Sequence, residues 1–197
     1  MQTGLFHATS LPSFRYTTML VLRYSLTEEE YLDYNYFTAW TSPDKVAYRR
    51  KYYLQVMALY VAVAGLYILG NRNHSTGIDI AVFTGIGAIY FMLIPMLVRR
   101  SIKSRVKSVL SKPENHHVLN ESEVTLTNTG ILDKDTVSES RYDWDAIVRK
   151  AETALCYYLY TNSYHAIVIP KRIVKSSEQG ELTTMFNVYL PLSSHHS

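Results

Sequence analysis

Two uncharged apolar runs of equal length limit the folds open to this chain more than any other feature. Tyr52–Gly70 and Ile80–Val98 hold nineteen residues each, without an Asp, Glu, Lys or Arg in either. At about 1.5 Å per residue each run makes a helix of about 28 Å, close to the hydrocarbon thickness of a bilayer. Gly85, Gly87 and Pro95 would weaken a helix in water, but small residues and proline are tolerated in membrane spans. Runs this long and uniform argue against a hairpin buried in a soluble core. The first starts at residue 52, too far along for a cleaved signal peptide. The averages, 47% hydrophobic and 19% charged with a net charge of +3, conceal this division.

The flanking charges set the expected orientation. Arg49, Arg50 and Lys51 precede the first run; Arg99, Arg100, Lys103, Arg105 and Lys107 follow the second; residues 71–77 between them carry only Arg72. The positive-inside rule then puts both termini in the cytoplasm and a short loop outside. Tyr52, Tyr53 and Tyr67 suit the headgroup region, Gly65 and Gly70 allow close helix packing, and Asp79 reads as a solvated carboxylate at the outer boundary. Residues 111–197 carry 8 basic and 11 acidic groups, which argues against a nucleic-acid-binding face.

The chain divides into an N-terminal extension and strand (1–26), a helical segment (27–51), the hairpin (52–98), a basic amphipathic linker (99–113), a cytoplasmic domain (114–190) and a tail (191–197). Residues 1–18 read as an extension or the product of start-site choice. A strand-like stretch runs from Phe14 to Leu26. Thr27 with Glu30 forms a capping box, and Tyr31, Leu32, Tyr34, Tyr36 and Phe37 then make an aromatic-rich helix. Its tyrosines are expected to pack on the C-terminal domain or at the membrane interface. Ser42-Pro43 restarts a helix that leads into the first run.

Past Pro113 the pattern changes to short strands: Val124–Thr127, Ile131–Asp135 and Thr136–Tyr142, then the stronger Leu155–Tyr160 and His165–Pro170. Trp144 is expected to open a strand. Ser176 and Gln179 have capping-box spacing, and Leu182, Met185, Phe186 and Tyr189 share one face of the helix that follows. The expected fold is a two-helix transmembrane hairpin plus a small cytoplasmic α+β domain. Its sheet, curved or closed into a partial barrel, would be capped by the C-terminal helix, with Trp144 and Phe186 as structural residues.

Candidate chemistry is sparse. Cys156 is the only cysteine and reads as a core residue; a catalytic role would require His165 and a carboxylate beside it. His116-His117 and His195-His196 lack metal-ligand spacing, and Asp133, Asp135, Asp143 and Asp145 flank turns. No phosphate loop, nucleophile elbow or zinc-protease motif occurs. No catalytic, cofactor or metal site is expected. The residues expected to meet a membrane surface or partner are Lys171, Arg172 and Lys175, with Arg99, Arg100 and Lys103 beside the second run. Charge reversal at Lys171 and Arg172 is expected to leave folding intact.

The order of these features resembles the YcxB-like family of bacterial membrane proteins. The resemblance rests on Tyr24-Ser-Leu-Thr-Glu-Glu-Glu-Tyr-Leu32, the two apolar runs, Trp144-x-x-Ile147, the tyrosine-rich strand and Ile169-Pro170-Lys171-Arg172 before the closing helix. It implies a pleckstrin-homology-type sheet with a terminal helix, in a bacterial inner-membrane protein, and no established catalytic role. The expected function is a membrane-anchored, non-enzymatic interaction or regulatory module. Its expected partners are the bilayer and an unidentified protein or a second copy, with no cofactor and no nucleic acid. The alternatives are a small inner-membrane immunity protein against a toxin and an enzyme acting on a membrane-proximal substrate.

Overall fold

Alternation in Met19–Ser25 makes β1 a half-buried strand: Leu20, Leu22 and Tyr24 face inward, while Met19, Val21 and Arg23 face out. Its partner lies on the far side of the two apolar runs. β1 pairs antiparallel with β2 (Glu121–Thr127), setting Leu22 opposite Val124. The structure, a computed structural model, describes residues 19–70 and 75–190. The start of the expected N-terminal strand, part of the loop between the runs and the His195-His196 pair lie outside the described residues.

β2 continues through β3 (Ile131–Lys134) and β4 (Glu139–Tyr142) into a four-stranded sheet in the order β1-β2-β3-β4. A second sheet holds β5 (Arg149–Glu152), β6 (Cys156–Tyr160) and β7 (Ala166–Pro170) in that order, and the described strands form no closed barrel. Residues 19–25, grouped in sequence with the extension, are thus an integral strand of the C-terminal sheet. The turn between β2 and β3 depends on Gly130, where a Cβ would sit 2.3 Å from the Tyr142 carbonyl oxygen.

The helix α4 (Ser176–Tyr189) brings Leu182, Met185 and Phe186 into one core with Leu20, Leu22, Val124, Leu126, Leu159, Ile167 and Ile169. Three local expectations need correction. Trp144 does not open a strand. It sits in a 3-10 turn, Trp144–Ala146, that carries the chain from one sheet to the other. Its indole N–H donates to the Thr127 carbonyl at 2.9 Å, and its ring stacks on Tyr189 at 5.0 Å, so its role is to fix the crossing. Leu155 precedes β6 and is 37% exposed, outside the core. The cap of α4 lies one residue earlier than Ser176: the Glu178 carboxylate accepts the backbone N–H of Lys175 at 3.4 Å.

The apolar runs lie in α2 (Val46–Gly70) and α3 (Thr76–Leu110), both long and apolar enough to cross a membrane. Only 6% and 11% of their apolar windows are buried, unlike a helix in a soluble core. The expected basic linker is the continuation of α3, which passes through Pro95 and ends before a 3-10 turn at Pro113–Leu119. Close packing of the helices uses Gly87 rather than Gly65 or Gly70. A Cβ on Gly87 would lie 2.9 Å from the Tyr60 ring, whereas Gly65 and Gly70 have open space. Across that notch Tyr60 donates its hydroxyl to the Phe83 carbonyl at 2.6 Å. Asp79, expected to be solvated, is 8% exposed, and its Oδ2 has no hydrogen-bond partner among the described residues.

Candidate functional site

β6 and β7 are buried on both faces, which explains their continuous apolar reading. One face joins the core under α4. The other presents Cys156, Tyr158, Tyr160, Ala166 and Val168, and Tyr34 and Phe37 pack against it. These two residues belong to α1 (Glu28–Tyr36) and to the π-helical turn Phe37–Thr41 that follows. The aromatic-rich helix therefore covers the second sheet. The expected capping box forms: the Glu30 N–H donates to Thr27 Oγ1 at 3.2 Å, and the Thr27 N–H to the Glu30 carboxylate at 2.9 Å.

Polar ties bind this layer to the sheet along its length. Tyr158 and Thr153 both donate to Asp33, at 2.7 and 2.6 Å. Tyr34 donates to the Tyr164 carbonyl at 2.6 Å, and burial pushes its hydroxyl pKa up to about 12. The hydroxyls of Thr38 and Tyr160 share a hydrogen bond of 2.7 Å. At the foot of α2, Arg149 donates to Ser42 Oγ at 2.7 Å and to Asp44, with its guanidinium 4.0 Å from the centre of the Tyr160 ring. Arg49 donates to the Trp40 and Ser42 carbonyls, the latter at 3.1 Å, closing the π-helical turn onto α2. Trp40, which sequence reasoning passed over, is buried edge-on to Tyr48 and Tyr52.

The expected contact residues divide. Arg172, though half exposed, is engaged within the chain, donating to Glu30 at 2.7 and 3.2 Å and to the Ser25 carbonyl at 2.7 Å. Burial works against the Glu30 carboxylate, but Arg172 and the Thr27 N–H outweigh it and hold its pKa below 4.5. Reversing the charge of Arg172 should therefore destabilise the fold, because the buried Glu30 would lose its counter-charge and face a second acid. Lys171 pairs with Glu152 at 3.4 Å over the Tyr157 ring, while Lys175 stays exposed beside Glu178. Arg99, Arg100 and Lys103 line a cleft with Glu28 and Glu29, so cations and acids face each other there.

On the opposite flank of α1 lies a second cleft, of about 600 Å³, lined by Tyr31, Tyr34, Asn35, Thr38, Ala39, Lys45, Tyr48, Arg105 and Tyr164. It joins α1, the foot of α2, α3 and the β6–β7 turn. Lys45 and Arg105 are its charged residues.

No cysteine–histidine pair assembles. Cys156 pairs with Pro170 at one end of the β6–β7 ladder, whereas Tyr160 pairs with Ala166 at the other, and His165 lies beyond that end. Burial, with Glu30 and Asp33 adding, pushes the Cys156 thiol up to about 12, far from a reactive thiolate. Asp135 takes the turn duty expected of it, accepting the Val137 and Ser138 N–H groups at 2.6 and 2.5 Å. Among the described residues no group of three His, Cys, Asp or Glu side chains is placed to hold a metal ion.

Residues 126–185 match the model of the YcxB-like protein family. The matched YcxB-like segment begins inside β2 and ends inside α4, so it holds β3, β4, the whole second sheet and most of the closing helix. β1, α1 and the hairpin lie outside it. No curated protein and no solved structure matches the chain.

Proposed function

We propose that this protein is a membrane-anchored, non-enzymatic interaction or regulatory module of the bacterial inner membrane. In this reading α2 and α3 cross the bilayer and hold a pleckstrin-homology-type YcxB-like domain against its cytoplasmic face. The pairing of β1 with β2 carries the reading. The chain leaves one sheet, runs through both apolar helices and returns to the same sheet. A bilayer-crossing hairpin with that connection must keep its flanks on one side, and the basic residues at both flanks favour the cytoplasm. The apolar faces of α2 and α3, left uncovered by the other described residues, fit lipid better than water. The ties from Arg149 to Ser42 and Asp44, at the foot of α2, would fix the domain's orientation to the surface.

Alkaline carbonate washing and reporter fusions test this. The chain should stay with the membranes, and a reporter active only in the cytoplasm should work at Ser197 and be silent at Ser75. Release by carbonate, or the reverse reporter pattern, would overturn the reading.

A further inference from the structure

We propose that the cleft between α1, α3 and the β6–β7 turn is a binding site for a phosphate ester, with Lys45 and Arg105 as its anion-holding pair. Four tyrosines, Tyr31, Tyr34, Tyr48 and Tyr164, form walls around the two cations, and no carboxylate lines the space. Arg105 is exposed and, among the described residues, has no hydrogen bond or ion pair. Lys45 lies over the Tyr164 ring at 5.2 Å. Its neighbour Asp44, 3.5 Å away, is shared with Arg149, which leaves the lysine charge only partly answered. The hydroxyls of Tyr31, Tyr48 and Tyr164 likewise have no hydrogen-bond partner among the described residues, so they can serve ester and hydroxyl oxygens of a ligand.

The cleft on the other flank of α1 sharpens the contrast. There Arg99, Arg100 and Lys103 share the lining with two carboxylates, Glu28 and Glu29. No carboxylate lines the tyrosine-walled cleft, and Asp44 beside Lys45 is shared with Arg149. Its volume of about 600 Å³ suits a small phosphorylated polyol rather than a single ion.

Position suggests where such a group would come from. Lys45 stands seven residues before the first apolar run and Arg105 seven residues after the second. Along a helix that is about 10 Å past the cytoplasmic ends of both runs, where long side chains reach the headgroup layer. This placement rests on the membrane reading above; the cleft itself does not. A glycerol phosphate headgroup and a free phosphate ester offer the same chemistry, and the experiment separates them.

The full chain is placed in nanodiscs of phosphatidylcholine with or without phosphatidylglycerol, and retained lipid is counted by native mass spectrometry. In a second arm, glycerol phosphate is titrated into the phosphatidylcholine sample and followed by tyrosine fluorescence. The double variant Lys45→Gln, Arg105→Gln should bind about 30-fold more weakly than the parent, while Lys134→Gln, Arg141→Gln, on β3 and β4, should match it. Equal protease resistance of all three proteins excludes a folding effect. Selective retention of phosphatidylglycerol identifies the headgroup as ligand; glycerol phosphate binding without lipid selectivity identifies a free ester. Equal behaviour of parent and double variant, or no binding in either arm, overturns the site. Were the chain to remain soluble without nanodiscs, the membrane reading would fail, and glycerol phosphate titration of the soluble chain would still decide the site.

Discussion

Arg172 holds both carboxylate oxygens of Glu30, at 2.7 and 3.2 Å, across a chain separation that includes the whole hairpin. Glu30 is 4% exposed, and it also accepts the Thr27 N–H that starts α1. One ion pair therefore ties the N-terminal layer to the turn after β7 and orders the first turn of a helix. Removing the arginine leaves a buried carboxylate without its counter-charge. Arg172→Gln should cost about 2 kcal/mol, less than a fully buried pair because the guanidinium is half exposed. Thermal unfolding of the purified chain measures this; an unchanged midpoint would show that the pair contributes nothing.

The same pair predicts the direction of acid sensitivity. A carboxylate whose pKa is lowered on folding stabilises the native state above its unfolded value, and that contribution disappears as pH falls through the folded value. For Glu30 the loss should begin near pH 4.5 and continue below it. Comparing the parent with Glu30→Gln from pH 7 to pH 3 isolates the effect. The gap in stability between them should narrow as the pH falls, and a constant gap would refute the assignment.

Phe186 lies 2% exposed between α4 and the sheets, edge-on to Tyr157 at 5.6 Å. Phe186→Ala should cost about 3–5 kcal/mol, comparable to the stability of a small domain. The domain should become sensitive to protease while α2 and α3 stay in the membrane fraction. A variant as resistant as the parent would mean that α4 does not hold the core together.

Gly87 and Gly85 should respond differently to the same substitution. Gly87→Leu drives a side chain into the Tyr60 ring and away from its bond to Phe83, an overpacking cost of about 1–3 kcal/mol. Gly85 has open space around it, so Gly85→Leu should be near neutral. Thermal stability in detergent separates them, and equal effects would place the α2–α3 contact elsewhere.

The sequence by itself determined the elements whose signals are local. The two long helices follow from nineteen-residue uncharged runs, the start of α1 from Thr27 and Glu30, and α4 from the spacing of Leu182, Met185 and Phe186. Strand β2 shows in its alternation, and β6 and β7 in continuous apolar and aromatic runs, all bounded by turn residues. Tertiary structure decided the rest, because it depends on pairings between distant residues that no local period records. β1 joins β2 across the hairpin, and Trp144 bridges two sheets from a turn. Arg172, which sequence alone groups with Lys171 and Lys175 as surface charge, is engaged by a buried acid that folding brings to it. The tyrosine-walled cleft is also tertiary. Tyr31, Lys45, Arg105 and Tyr164 lie on four separate segments, and only the packing of α1 between α3 and β6–β7 brings them together.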